Sequence, residues 1–311
     1  MNPAFSIVFF TTLAGTAQGL VVALAMATLL SLPLATGFVL AGLAVAEVLL
    51  LVSLGCSFLH LGHKLRAWRA VMMWRTSWMS REVIALPAFM GAVAVWAALL
   101  ASGVALSSLA WLMPVAVILL ALLLWVCTAM IYACLRFVQE WAHPLTPINY
   151  TLIGLSSGLV LAGALAALGG EPAFAQALLP WALLATVAAG GLRAASLRRN
   201  AGLRPRSTLQ SATGIRSPRV VQTSMGLTGG SFNTREFFHG VTARSLRHVK
   251  WGFLLFGFVL PAGVLLYLWG GGGPVAWALA VLVQGVGLVA ERWFFFAEAR
   301  HPQNLYYQTV S

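Results

Sequence analysis

The chain has 311 residues, 60% of them hydrophobic and only 8% charged, with 19 Lys and Arg against 7 Asp and Glu and a formal net charge of +12. Soluble domains carry about 25% charged residues, so this composition excludes an ordinary water-soluble globule. With a mean hydropathy of +0.89, lipid is the expected solvent for most of the chain.

In chain order, the uncharged run from Phe5 to Ser31 already exceeds the roughly 20 residues a helix needs to cross the hydrocarbon core. No Lys or Arg precedes it, the first being Lys64, so a cleaved leader is not expected. Further runs of spanning length give eight expected spans in all, at 5–31, 35–61, 83–106, 109–135, 148–169, 173–193, 249–270 and 274–297. Backbone groups in lipid must be satisfied within their own segment, so these are helices. The expected fold is an all-α integral membrane protein, a single domain over 1–311 built as an eight-helix transmembrane bundle. Turn chemistry separates the spans at Pro33, Pro114, Pro144, Pro147, Gly169-Gly170 with Pro172, and Gly270 to Pro274. Gly154 and Gly158 form a GxxxG pair in the fifth span, a signal of close helix packing. Cys56, Cys127 and Cys134 all lie in apolar runs without metal-like spacing and read as packing residues.

Basic residues orient the bundle. With both termini on one side, that side receives Lys64, Arg66, Arg69, Arg75, Arg81, Arg136, the Arg- and Lys-rich connection between spans six and seven, Arg292 and Arg300, which accounts for all 19. Retention of Lys and Arg in the cytoplasm then places both termini inside. The opposite loops, near 32–34, 107–108, 170–172 and 271–273, are too short to hold a catalytic domain. The one sizeable non-membrane segment, 198–247, is rich in Gly, Ser, Thr and Arg. It reads either as a headgroup-binding loop or as an arm that docks a partner through Arg204, Arg206, Arg216, Arg219 and Arg235.

His60 closes the second span and Glu82 opens the third, so both can converge on one pocket at the membrane surface. A histidine titrating near neutrality and a partly desolvated carboxylate are the hydrogen-bond and proton partners that the two ring oxygens of a quinone need. Arg66, Arg69 and Arg81 can stabilise a semiquinone or quinol anion there. The plainer reading makes His60 an interfacial polar residue and Glu82 a carboxylate at a helix N-terminus. Between them, Trp68, Trp74 and Trp78 alternate with Arg66, Arg69 and Arg75, the pattern of an interfacial amphipathic helix and not of a nucleic-acid surface. Glu47 and Glu291 lie inside spans and serve either a proton path or polar clamping between helices. Arg136 and Glu140 stand at i, i+4 and are expected to pair locally. Of six histidines only His60 lies within a span, so no haem is expected in this chain. No phosphate loop, nucleophile elbow or metal-spaced cluster appears, so redox chemistry requires a partner that carries cofactors. A proton-coupled transporter is the alternative of another class, but matched inverted repeats are not visible.

Several blocks resemble the membrane-anchor subunits of the dimethyl sulfoxide reductase family. They are Met1-Asn2-Pro3-Ala4-Phe5-Ser6, Ser57-Phe58-Leu59-His60-Leu61-Gly62 with Leu65-Arg66-Ala67, Ser80-Arg81-Glu82, Thr146-Pro147-Ile148-Asn149-Tyr150, and Ala290-Glu291-Arg292. The resemblance implies an eight-helix, haem-free anchor in a bacterial cytoplasmic membrane, exchanging electrons between a quinone, ubiquinone or menaquinone, and the iron-sulfur subunit of a molybdopterin enzyme. It also implies that His60 and Glu82 belong to the quinol site. Two departures stand out: the charge asymmetry puts the His-Leu-Gly block inside, and the basic segment 198–247 is absent from compact anchors. Both look more like the anchor of cytoplasm-facing sulfite-oxidising relatives, which favours sulfite oxidation with quinone reduction over dimethyl sulfoxide reduction.

Overall fold

The computed structural model describes residues 1–103, 111–221, 223 and 239–305, and eight helices among them are long and apolar enough to cross a membrane. They are α1 (Phe5–Leu29), α2 (Thr36–His60), α3 (Trp78–Ala101), α4 (Leu112–Ala133), α5 (Leu145–Leu168), α6 (Pro172–Ala201), α7 (Ala243–Trp269) and α8 (Pro274–Ala297). Most have little amphipathic character, as expected where lipid and protein neighbours are equally apolar; the exception is the start of α7, Ala243–Leu254, which carries Arg244, Arg247 and Lys250 and is strongly amphipathic. What holds them together is backbone proximity and polar contacts between helices.

The centre of the bundle is the pair α1 and α5. Both pack on α4 and α8, with α2 against α1 and α6 against α5, while α3 lies on α2 and α4, and α7 on α6 and α8. The Gly154/Gly158 pair of α5 meets a second pair at the same spacing, Gly15 and Gly19 of α1; a Cβ on Gly158 would overlap the Gly19 backbone. A comparable contact joins α7 to α8, where a Cβ on Gly287 would overlap the backbone at Gly257. Gly257 lies in a π-helical turn, Leu255–Val259. Pro261 has no N–H to offer and its ring crowds the carbonyl of residue 257; the wider turn before it, with Leu260 N–H donating to Leu255 O, accommodates that break.

Several boundaries differ from the sequence expectation for a local reason. The Ser77 side chain caps α3 by accepting from Ser80 N–H at 3.3 Å, so the helix begins at Trp78 and Glu82 sits in its second turn. Prolines at 144 and 147 fit the first turn of α5, which starts at Leu145. Helix α6 continues to Ala201, carrying Arg193, Arg198 and Arg199 within it, and α7 already starts at Ala243. The connection between α6 and α7 is therefore shorter than 198–247, and within it Leu209–Thr213 is itself a short helix. The segment after α2 is a 3-10 helix, Lys64–Met73, with exposed side chains at Leu65, Trp68, Met72, Met73 and Trp74.

Eight antiparallel crossings bring the start of every odd-numbered helix and the end of every even-numbered one to the same face. Among the described residues, every Lys and Arg falls in the connections and helix ends on that face. At the opposite face the described loops, 30–35, 169–171 and 270–273, are short, while the expected loop at 107–108 lies outside the described residues; Ala35 N–H donates to Glu171 Oε1 at 2.9 Å, tying the α1–α2 loop to the start of α6.

Candidate functional site

At the basic face, the second turn of α3 directs Glu82 inward, where it is only 8% exposed. Its Oε1 accepts a hydrogen bond from the Thr128 hydroxyl on α4, and Cys127, Tyr132 and Tyr150 lie within electrostatic reach. Arg81 turns the other way. Its Nε donates to Trp74 O at 2.9 Å and its Nη2 to Arg75 O at 2.8 Å, while its guanidinium lies 4.2 Å from the Trp78 ring centre. It therefore staples the Trp-rich segment to the start of α3. His60 ends α2 exposed, and Arg66 and Arg69 are exposed on the 3-10 helix. The five residues read from sequence as one pocket thus occupy one face at three levels: Glu82 in the interior, Arg81 at the junction, and His60, Arg66 and Arg69 outside. Among the described residues, no hydrogen bond or ion pair joins His60 to Glu82.

Behind Glu82 lies a buried polar cluster that the sequence reading largely missed. Glu291, fully buried on α8, is held on both oxygens, by Arg193 Nε from α6 at 2.6 Å and by Arg292 Nε. Arg193 also reaches Glu298 at 3.4 Å. Two guanidinium groups against two carboxylates leave the cluster neutral, and aromatic faces cover the cations. Arg292 sits 4.1 Å from the Tyr150 ring centre and Arg193 5.5 Å from that of Phe253. Asn149 of α5 donates to Ser196 of α6 at 2.8 Å, and Trp141 Nε1 donates to Phe295 O at 3.0 Å. Through Arg193, Glu291 thus bridges α8 to α6. Burial pushes the Glu298 carboxyl above its ordinary range, opposed by Arg193.

Two small cavities adjoin this cluster. One of about 20 Å³ is lined by residues of α1, α4, α5 and α8, including Gln18, Trp125, Thr128, Tyr150 and Arg292. The other, of about 10 Å³, is lined by Glu140, Asn200 and Glu298 and shares Tyr150 and Arg292 with the first.

Residues 1–213 match the family model described as DMSO reductase anchor subunit (DmsC). The chain belongs to this family. Along its full length, and the full length of the relative, it is also 46% identical over 329 aligned positions to a subunit of sulfite dehydrogenase from Allochromatium vinosum. The family resemblance carried by the short blocks is thereby borne out, and the chain is a multi-pass membrane anchor of an oxidoreductase.

In this anchor the remaining expected residues fall outside the buried cluster. Glu47, midway along α2, is half-buried, with its Oε1 shielded and without a hydrogen-bond partner. Arg204, Arg206, Arg216 and Arg219 are exposed in the α6–α7 connection, whereas Arg235 lies outside the described residues. The expected Arg136–Glu140 pair does not form, because α4 ends at Ala133 and i, i+4 spacing has no meaning beyond it. Instead Arg199 crosses from α6 to the Gln139 and Glu140 carbonyls, at 3.0 and 3.5 Å. Among the described residues no group of three or more His, Cys, Asp or Glu side chains could hold a metal ion.

Proposed function

We propose that this anchor passes electrons between the iron-sulfur subunit of a molybdopterin enzyme and a membrane quinone, at a site on the basic face that includes His60, Glu82, Arg66, Arg69 and Arg81. The preferred direction is sulfite oxidation with quinone reduction. End-to-end identity of 46% to a protein of sulfite dehydrogenase is the observation that carries this direction. Molybdopterin and iron-sulfur clusters belong to the partner subunits. There sulfite and water give sulfate, two protons and two electrons, and the electrons travel to the quinone.

At the quinone, this chain contributes proton chemistry. Glu82, withdrawn from solvent and oriented by Thr128, supplies a proton to one reduced ring oxygen. His60, exposed at the end of α2, serves the other from the surface side. Guanidinium groups at Arg66 and Arg69 lower the cost of anionic intermediates. The charge asymmetry turns this face to the cytoplasm, in a bacterial inner membrane. On that side a catalytic partner works without export, docked through the basic α6–α7 connection.

Membranes carrying the whole complex test this reading. His60→Ala and Glu82→Gln should leave the complex assembled and lower sulfite-dependent reduction of a soluble ubiquinone analogue by about a hundred-fold, the usual weight of a general acid or base. Wild-type rates in both variants would reject the site. A second reading, menaquinol oxidation beside a dimethyl sulfoxide reductase-type partner, is favoured by the family description. It requires reduction of the sulfoxide and no sulfite oxidation by the purified complex.

A further inference from the structure

The cavity between α1, α4, α5 and α8 carries an unusual set of orphans. Gln18 Oε1 and Trp125 Nε1 are buried without a hydrogen-bond partner, on residues 2% and 3% exposed that line it, and the Tyr150 hydroxyl beside them lies against Arg292 and Tyr132. Gln18 spends its amide N–H on Ala14 O at 3.0 Å, which leaves its oxygen free to accept. A buried polar atom with no partner costs about 1–3 kcal/mol, and two around one void point to something that binds them. An acceptor, a donor and a hydroxyl around about 20 Å³ match one water molecule, which needs roughly 15 Å³ and two to four polar contacts. Thr128 lines the same cavity and donates to Glu82. The adjoining cavity, sharing Tyr150 and Arg292, leads to Glu140 and Glu298 at the basic face.

We propose that this cavity holds an ordered water and that the water and the Thr128 hydroxyl form the route by which Glu82 regains its proton from the basic face, entering past Glu140 and Glu298. The demand for protons rests on the quinone-reactive reading above. A quinone becomes a quinol by taking two electrons from the iron-sulfur partner and two protons. When Glu82 gives up a proton to a ring oxygen, the Thr128 hydroxyl, already donating to Oε1, passes its proton across in the same shift in which it takes one from the water, so that no alkoxide forms. The water in turn takes one arriving through the outer cavity. Threonine and water end unchanged, and the second proton reaches the other ring oxygen from His60 at the surface side. Arg292 stands between the cavities, but its charge is balanced by Glu291, so the passage is not guarded by a bare cation.

The test uses the intact complex, with partner clusters reduced by dithionite and reoxidised by decylubiquinone. Thr128→Val and Gln18→Leu should slow reoxidation by about ten-fold or more and enlarge the solvent deuterium isotope effect, with binding of a fluorescent quinone-site inhibitor retained. Thr128→Ser should restore the wild-type rate. Thr128→Val at wild-type rate with an unchanged isotope effect would overturn the route. Radiolytic labelling in ¹⁸O-water reads the water site without any quinone: Trp125 and Tyr150 should take up label in the wild type and lose it in Gln18→Leu, and no uptake in the wild type would overturn the water. If wild-type clusters are not reoxidised by decylubiquinone, the quinone reading fails and takes the route with it, while the labelling still decides the water site.

Discussion

Glu291 has no solvent, yet both of its oxygens are engaged by guanidinium groups. Removing one member of a buried ion pair strands the others, at a cost of about 3–5 kcal/mol. Glu291→Gln should therefore lower the thermal midpoint of the detergent-solubilised complex by many degrees and reduce its level in membranes. A variant as stable as the wild type would show that the guanidiniums have found other partners. Glu298 behaves differently, because burial raises its folded pKa above the ordinary 4.5. The folded state then holds the proton more tightly than the unfolded chain does, so the contribution of Glu298 is favourable at low pH. It is lost as pH rises from about 4.5 through the folded value. Glu298→Gln should flatten that part of the stability profile, measured as thermal midpoint against pH. Sequence alone exposed Glu291, since an acid inside a span has to be explained, but not its partner Arg193. Nothing local says that a residue 98 positions away on α6 will meet it. Glu82 was legible as a candidate, whereas its inward aim depended on Ser77 starting the helix one turn early.

Among whole elements, the eight helices were readable because length and apolarity are properties of each segment alone. Their neighbours were only half readable: Gly154 and Gly158 announced a close contact, but the matching Gly15 and Gly19 on α1 became its partner only in three dimensions. Gly158→Leu should split α1 from α5 and abolish accumulation of folded protein, since overpacking against backbone has nowhere to relax. Gly55→Ala on α2, where an added Cβ meets nothing within 4 Å, should be neutral or gain up to about 1 kcal/mol in helix propensity. Protease resistance in membranes separates the two outcomes. The π-helical turn of α7 was hidden in sequence; Pro261 hinted at a break, but the wider turn arises from the Gly257–Gly287 approach as well.

For the molecule as a whole, charge and topology agree. The gathering of the described basic residues on one face predicts that a single cysteine replacing Trp74 is shielded from membrane-impermeant maleimide in intact cells and labelled in inverted vesicles. The opposite pattern would turn the bundle over and remove the case for a cytoplasmic enzyme. Replacing Arg204, Arg206, Arg216 and Arg219 together by Ser should cut recovery of the catalytic partners with the anchor several-fold and make the residual association less sensitive to salt. Undiminished recovery would assign these residues to lipid headgroups. The hydrogen bond between Ala35 and Glu171 is made where connections are short, far from the buried polar cluster. The basic end is tied as well, by Arg193 to Glu291 and by Arg199 to the Gln139 and Glu140 carbonyls. Helix α6 is thus pinned at both leaflets, a beam fixed at its two supports.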